Sequence, residues 1–239
     1  SLTANIQSIN NATTGAIVLE SPNQDLEGTS LELIQALDGT INYTGNVTIT
    51  DAYTLAQLKS INNSTTGDIT LNDTTVILTG NSSDIAAALA GTITTHTGAI
   101  NITNDDYTLA ELKAINDAST GAITLTHTAV AISGDSSDYA SALAGTINYT
   151  GNVTISNADY TVAELKNINN GTTGTITLAT TNTALSGDAT DLKAALAGIT
   201  NYAGNVTITD SDYTVDELKS INSHTTGEIT LNTTTVALS

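Results

Sequence analysis

Short stretches of the chain alternate hydrophobic and polar residues, and the stretches that follow them repeat hydrophobic residues every three positions. In "GNVTIT", Val47 and Ile49 alternate with threonines, which is the two-residue period of a half-buried strand. In "YTLAQLKSIN", Leu55, Leu58 and Ile61 lie three apart and share one helical face. The pattern predicts a strand, a turn and a short amphipathic helix.

The predicted helix carries residues typical of helix ends. Thr54 followed by Gln57 indicates a capping box, and Tyr53 with Leu58 indicates a hydrophobic staple. Asn62 lies at the predicted helix end, where asparagine tolerates a left-handed backbone. The stretch recurs three times, which predicts further capping boxes at Thr108 with Glu111, Thr161 with Glu164 and Thr214 with Glu217, and further helix ends at Asn116, Asn169 and Asn222.

A second, shorter helix is predicted after an apolar segment. "TTVILTG" is expected to form an extra short strand, and "NSSDIAAALAG" a helix with Asn81 as its N-cap and Gly91 after its last turn. The same arrangement recurs with Asp135 and Gly145, with Asp188 and Gly198, and in a weaker form with Thr29 and Gly39.

These units repeat along the whole chain. One glycine series, Gly15, Gly67, Gly121, Gly174 and Gly227, has spacings of 52 to 54 residues, and a second series interleaves with it. Repetition at this period is typical of solenoids. The sequence therefore predicts one continuous solenoid over residues 1–239, with repeats of about 53 residues at 39–90, 91–144 and 145–197 and partial repeats at 1–38 and 198–239. We expect it to be a segment of a longer array.

The predicted fold is an α/β repeat solenoid with a stacked parallel sheet on one side and short helices on the other. Nine core strands, counted by their glycines, would form one sheet of about 40 Å at the usual strand spacing. Its inward ladder would comprise Val47, Ile69, Ile100, Ile123, Val153, Ile176, Val206 and Ile229. The alternative is an all-β solenoid, which the capping boxes disfavour.

Composition excludes several classes of partner. The net charge of −19, from 24 acidic and five basic residues, argues against binding to nucleic acid or an anionic membrane. No apolar run is long enough for a membrane span, so membrane insertion is not expected. His96, His127 and His224 occupy non-equivalent repeat positions and are interpreted as surface or turn residues, with metal or general-base roles as the alternative. The recurring lysines are interpreted as a solvated stripe or as a contact surface for an acidic neighbour, namely Lys59, Lys113, Lys166 and Lys219. Since no catalytic motif occurs, the sequence predicts that the chain is not an enzyme and needs no cofactor.

Two polar arrays are candidates for binding. Acidic residues recur where a strand passes into a helix, namely Asp51, Asp105, Asp106, Asp159, Asp210 and Asp212. Stacked carboxylates could hold Ca²⁺, although aspartate before a helix is also ordinary turn chemistry. Outward-facing hydroxyls form the second array, namely Thr48, Thr50, Thr103, Thr124, Thr126, Thr154, Thr207 and Thr209. This face could bind a glycan or a protein partner, or less favourably ice, but threonine is also a common residue of exposed strands.

The stretches "YTLAELKAIN…TGAITL" and "SGD…DLKAALAGITNYAGNVTIT" resemble tandem repeats of very large bacterial surface or secreted proteins, especially cyanobacterial ones. A looser likeness is to leucine-rich repeats, whose LxxLxLxxN pattern the strands do not follow. The first resemblance implies an extracellular or cell-surface location and a structural spacer or scaffold role. The expected partners are neighbouring repeats of the same long chain, with self-association into fibres or a sheath as a further expectation. The alternative function is an adhesive or ligand-binding module that uses the threonine or aspartate arrays.

Overall fold

The structure is a computed structural model and describes residues 1–144 and 147–234. Within these residues the chain is a mixed α/β protein with nine helices and four three-stranded parallel sheets. The predicted α/β class is confirmed. The all-β alternative is wrong, because the segments that carry capping boxes are helical. Gly145, predicted to follow a helix, lies outside the described residues.

The chain forms two compact units, and α5 (Leu109–Asp117) is divided between them. The first unit contains residues 1–107 and 114–126. Its elements are α1 (Leu2–Ala12), β1 (Leu26–Gly28), α2 (Ser30–Leu37), β2 (Val47–Ile49), α3 (Leu55–Asn63), β3 (Ile69–Leu71), β4 (Leu78–Gly80), α4 (Ser82–Ala88), β5 (Ile100–Ile102) and β6 (Ile123–Leu125).

The second unit contains residues 108–113 and the described part of 127–239. Its elements are β7 (Ile132–Gly134), α6 (Ser136–Ala142), β8 (Val153–Ile155), α7 (Val162–Gly171), β9 (Ile176–Leu178), β10 (Leu185–Gly187), α8 (Ala189–Leu196), β11 (Val206–Ile208), α9 (Val215–His224) and β12 (Ile229–Leu231). The prediction of one continuous solenoid stays a prediction.

Each sheet is a short ladder of identical positions. In the first, Leu26, Val47 and Ile69 are register partners, and all three are buried. The other sheets repeat this row with Leu78, Ile100 and Ile123, with Ile132, Val153 and Ile176, and with Leu185, Val206 and Ile229. The aliphatic positions of the alternating pattern therefore face the core, as predicted.

The prediction of nine strands in one sheet is wrong. Strand β4 is the extra strand expected in "TTVILTG", and it pairs with β5. Residue Ile69 of β3 instead bridges to Ile93, so Ile69 and Ile100 are not adjacent rungs. The reason is that β4 follows β3 within the same repeat and begins a separate ladder with β5 and β6.

The long helices begin as predicted. Thr54, Thr161 and Thr214 each form a complete capping box with the residue three positions later, and Thr29 does so with Glu32. The Thr108 and Glu111 pair makes both reciprocal hydrogen bonds, at 2.9 and 3.3 Å. Gly39 and Gly91 have φ of 74° and 72°, which suits glycine after a helix.

Of two other predictions about the helix ends, the left-handed asparagine is wrong, and the N-cap positions are confirmed without their side-chain hydrogen bonds. Asn62 does not adopt a left-handed backbone, since no described residue other than glycine has a positive φ. Asn81, Asp135 and Asp188 occupy N-cap positions, but their side chains make no capping hydrogen bond. The groups that cap these helices come from elsewhere in the chain.

Glycine marks the repeat because backbones meet there. A Cβ added to Gly174 would lie 2.2 Å from the carbonyl oxygen of Gly151. The same overlap occurs between Gly67 and Gly45 and between Gly227 and Gly204. Any side chain at these positions would force neighbouring strands apart.

Candidate functional site

The strongest regularity of the structure is a set of polar side chains that hydrogen-bond to backbone about 20 to 28 residues away. We call these residues the inter-repeat clamps. They comprise the strand-end caps Asp51, Asn104, Asn157 and Asp210, the helix asparagines Asn10, Asn62 and Asn169, the turn threonines Thr65, Thr172 and Thr225, and the buried tyrosines Tyr43, Tyr149 and Tyr202.

The strand-end caps bind the first residue of the preceding short helix. Asp51 Oδ1 accepts from the amide of Ser30 at 2.7 Å, and Asp210 Oδ1 accepts from the amide of Ala189 at 3.0 Å. Asn104 and Asn157 bind the amides of Ser82 and Ser136 in the same way, both at 2.9 Å. Because an anion or a carbonyl oxygen stabilises a helix N-terminus, these residues supply the side-chain caps that α4, α6 and α8 lack, and Asp51 adds to the capping box of α2.

The remaining predicted acidic ligands are dispersed. Asp106 and Asp159 each accept a hydrogen bond of 2.7 Å from the side-chain amide of the asparagine two positions earlier. Asp105 and Asp212 are exposed. No group of three or more His, Asp or Glu side chains that could hold a metal occurs in the described residues. Ca²⁺ binding stays a prediction, and the structure gives the aspartates at Asp51 and Asp210 a capping role.

The helix asparagines cap the other end of the short helices. Asn62 Nδ2 donates to the carbonyls of Ala88 and Ala90, both at 2.9 Å, and Asn169 Nδ2 donates to Ala194 at 3.0 Å. The carbonyls of Ala88 and Ala194 belong to the last turn of a helix, where the backbone leaves acceptors unpaired, and Ala90 directly follows the C-cap of α4. Helices α2, α4 and α8 are thus each capped at both ends by residues of flanking segments. The 53-residue recurrence of these asparagines was the sequence signal for this role.

The turn threonines explain the "TTG" motif. Thr65 Oγ1 donates to the Gly45 carbonyl at 2.6 Å and accepts from the amide of Gly67 at 2.9 Å. Thr172 and Thr225 donate to Gly151 and Gly204, both at 2.7 Å. The threonine therefore joins two glycines whose backbones already touch.

The buried tyrosines use their hydroxyls in the same manner. The Tyr202 hydroxyl lies 2.8 Å from the Thr183 carbonyl oxygen and 3.1 Å from that of Asn205. Tyr43 and Tyr149 make the equivalent pairs of contacts. Burial raises the pKa of Tyr43 and Tyr202 well above the ordinary value for tyrosine. These residues are packing groups whose hydroxyl lies between two carbonyl oxygens.

His96 stands where the other repeats carry tyrosine, since positions 43, 96, 149 and 202 are 53 residues apart. Of the two interpretations of His96, as a surface or a turn residue, the surface one is wrong, because its side chain is fully buried. Neither ring nitrogen has a hydrogen-bond partner among the residues that the structure describes. Burial lowers the pKa of His96, and the nearby Asp73 carboxylate opposes this shift with a smaller effect. His127, in contrast, is exposed.

The predicted hydroxyl face is present as short rows. Thr48 is paired in register with Glu27 and Thr70, while Thr154 is paired with Ser133 and Thr177. Two of the candidate threonines, Thr48 and Thr207, are half-buried. The others are exposed, namely Thr50, Thr103, Thr124, Thr126, Thr154 and Thr209. Each row contains three residues, and Glu27 or Asn101 interrupts the hydroxyls in two of them. The rows remain a predicted binding face.

Comparisons with known proteins add little to this description. No family model and no curated protein matches the chain. One solved structure, the crystal structure of 2,3-dimethylmalate lyase, a PEP mutase/isocitrate lyase superfamily member, is similar at 11% identity over 95% of this chain and 80% of the lyase chain, with a TM-score of 0.15. None of the helices in the described ranges is both long and apolar enough to cross a membrane.

We withdraw the prediction that the chain is not an enzyme, because it rested only on the absence of a catalytic motif from the sequence. A TM-score of 0.15 is too low for the likeness to assign a fold, a substrate or a reaction to this chain.

Proposed function

We propose that this chain is a structural spacer, a segment of a repeat solenoid within a large extracellular or cell-surface protein. The inter-repeat clamps carry this proposal. The polar residues that recur most regularly in the sequence make their hydrogen bonds to the backbone of an adjacent segment, where they stabilise the next copy of the motif.

A scaffold role also explains why the short helices depend on neighbouring segments for their stability. A short helix such as α4 has seven residues, and an isolated helix of that length is unstable in water. Its stability depends on Asn104 at one end and Asn62 at the other, both supplied by flanking segments. Such elements are stable only when stacked, which is the energetic pattern of repeat proteins.

The adhesive alternative has less support. Its threonine rows are three residues long and interrupted, and two of its aspartates already bind helix amides. Self-association into fibres is a further proposal, for which the acidic surface requires screening by salt.

Small-angle X-ray scattering on this chain and on a fusion of two copies tests the spacer. A solenoid should nearly double its radius of gyration in the fusion, because repeats add along one axis. A compact arrangement would raise the radius of gyration by only about 1.3-fold, following the usual scaling with length. That smaller increase would contradict the proposal.

A further inference from the structure

One face of α9 lacks the neighbour that equivalent faces have. In α3 and α7 the corresponding leucines, Leu58 and Leu165, are fully buried, whereas Leu218 of α9 is only half-buried. Helix α9 packs against α8, and Ile221, three positions after Leu218, is fully buried, as Ile61 and Ile168 are in α3 and α7. The difference between these helices therefore lies at Leu218.

The polar residues of this face also lack the contacts of their equivalents. Lys59 of α3 forms an ion pair with Asp84 of α4, and Lys166 of α7 forms one with Asp191 of α8. In α9, Lys219 stands at the position of these two lysines and Asn222 at the position of Asn62 and Asn169. Both Lys219 and Asn222 are exposed. In the described residues no short helix follows α9.

The strand beside this face shows the same difference. Ile176 of β9 bridges to Ile199 and is fully buried, whereas Ile229 of β12 is half-buried. We call Leu218, Lys219, Asn222 and Ile229 the α9 face. It combines an apolar strip, one cation and one amide donor in the arrangement that binds α4 to α3 and α8 to α7.

We propose that the α9 face binds the short helix of a further repeat, of the α4 and α8 type. This inference rests on the proposed spacer function and names its partner. The occupant must carry an acidic residue in its first turn for Lys219 and unpaired carbonyls in its last turn for Asn222. It must also carry an aliphatic residue at the place of Ile85 or Leu192, which are fully buried in α4 and α8. The established interfaces of α3 with α4 and of α7 with α8 supply each of these requirements.

A lengthened chain tests this proposal. A second copy of residues 187–234 is joined after Ser239, because Ser186 is followed by Gly187 in the chain itself, and both Ser186 and Ser239 end an "ALS" triplet. This places the copied Asp191 25 residues after Lys219, the separation found for both established pairs. Hydrogen exchange of the α9 amides is then compared in the original and lengthened chains. We expect protection to rise at least tenfold, to the level of α7.

Charge reversal provides the matched controls. In the lengthened chain, Lys219→Asp should reduce the gain in α9 protection, and adding Asp191→Lys in the copied segment should restore it. In the original chain Lys219→Asp should leave α9 exchange unchanged. Unchanged α9 exchange on lengthening, or the absence of any effect of Lys219→Asp on the gain, would overturn the proposal.

Scattering separates this failure from failure of the spacer. A lengthened chain that extends along one axis without protecting α9 would refute the binding face alone. A lengthened chain that neither extends nor protects α9 would refute both.

Discussion

The turn around His96 and the turns around Tyr43, Tyr149 and Tyr202 occupy the same place in the repeat but satisfy their polar atoms differently. Each tyrosine hydroxyl lies within hydrogen-bonding distance of two carbonyl oxygens, one from a neighbouring segment and one from its own turn. The imidazole of His96 is as deeply buried but makes no hydrogen bond within the described residues.

The difference shows what the turn position requires. Both side chains are aromatic and buried, and each lies two residues before a glycine whose added Cβ would overlap a carbonyl oxygen. The repeat therefore depends on the volume of the side chain at this position and tolerates the loss of its hydrogen bond. Because a buried polar group without a partner is costly, the His96 turn should be the less stable of the two kinds.

The largest expected effect tests the role of volume. Tyr202→Ala should lower the free energy of unfolding by about 3–5 kcal/mol, the usual cost of removing a buried aromatic ring. His96→Ala should cost clearly less, since it also removes two unpaired buried nitrogens. Urea unfolding followed by circular dichroism measures both variants. Equal losses would contradict the comparison.

Removing only the hydroxyl should have a smaller effect. Tyr202→Phe keeps the ring and leaves the Thr183 carbonyl without its phenol donor, so a loss of about 1–3 kcal/mol is expected. The variant also tests how the free energy of unfolding depends on pH in alkaline solution. The folded-state pKa of Tyr202 is raised by burial, so the unfolded chain loses this proton first and stability falls as the pH rises above about 10.

Urea unfolding at pH 7 and at pH 11 separates these two effects. The loss of stability between the two pH values should be smaller in Tyr202→Phe than in the parent chain. Tyr149→Phe serves as a second test of the same contact, because its hydroxyl has equivalent partners. Full retention of stability at pH 7 by both variants would show that the hydroxyl contacts contribute nothing.

The sequence was sufficient for features that depend on neighbouring residues. The alternation at Val47 and Ile49 predicts a strand, and Thr54 with Gln57 predicts a helix start, because both signals lie within a few positions. The extra strand at "TTVILTG" was also predicted, but its pairing was not. Which strands pair depends on how the segment between β3 and β4 is placed, and no local pattern determines that.

The roles of the site residues were harder to predict for the same reason. Asp51 was interpreted as a candidate metal ligand, and its capping role was missed because its partner, the amide of Ser30, is 21 residues away. Asn62 was interpreted as a left-handed helix end, and its hydrogen bonds were missed because their acceptors lie 26 and 28 residues further on. His96 could have been placed correctly from the 53-residue spacing alone, which aligns it with three tyrosines.

Acid should affect the His96 turn and spare the tyrosine turns. The pKa of His96 is lowered in the folded protein, while in the unfolded chain it is about 6.5. Below this value the unfolded chain binds more protons, so stability rises with pH in this window and is lost as the pH falls. The slope should approach about 1.4 kcal/mol per pH unit until the folded-state pKa is reached, where the loss levels off.

His96→Tyr should remove this acid slope, because the tyrosine stays neutral throughout the window. It should also raise the free energy of unfolding at pH 7 by about 1 kcal/mol, since a hydroxyl at this position can reach the carbonyl of Val76 as Tyr149 reaches that of Val130. His127→Tyr is the matched control, because the same substitution is then made at an exposed histidine outside the His96 turn. Hydrogen exchange between pH 5 and pH 7 localises the effect to residues 93–100 in the parent chain. If the acid slope survives in His96→Tyr, the acid-sensitive group lies elsewhere in the chain. The His96 turn would then be no more sensitive to acid than the turns that carry tyrosine.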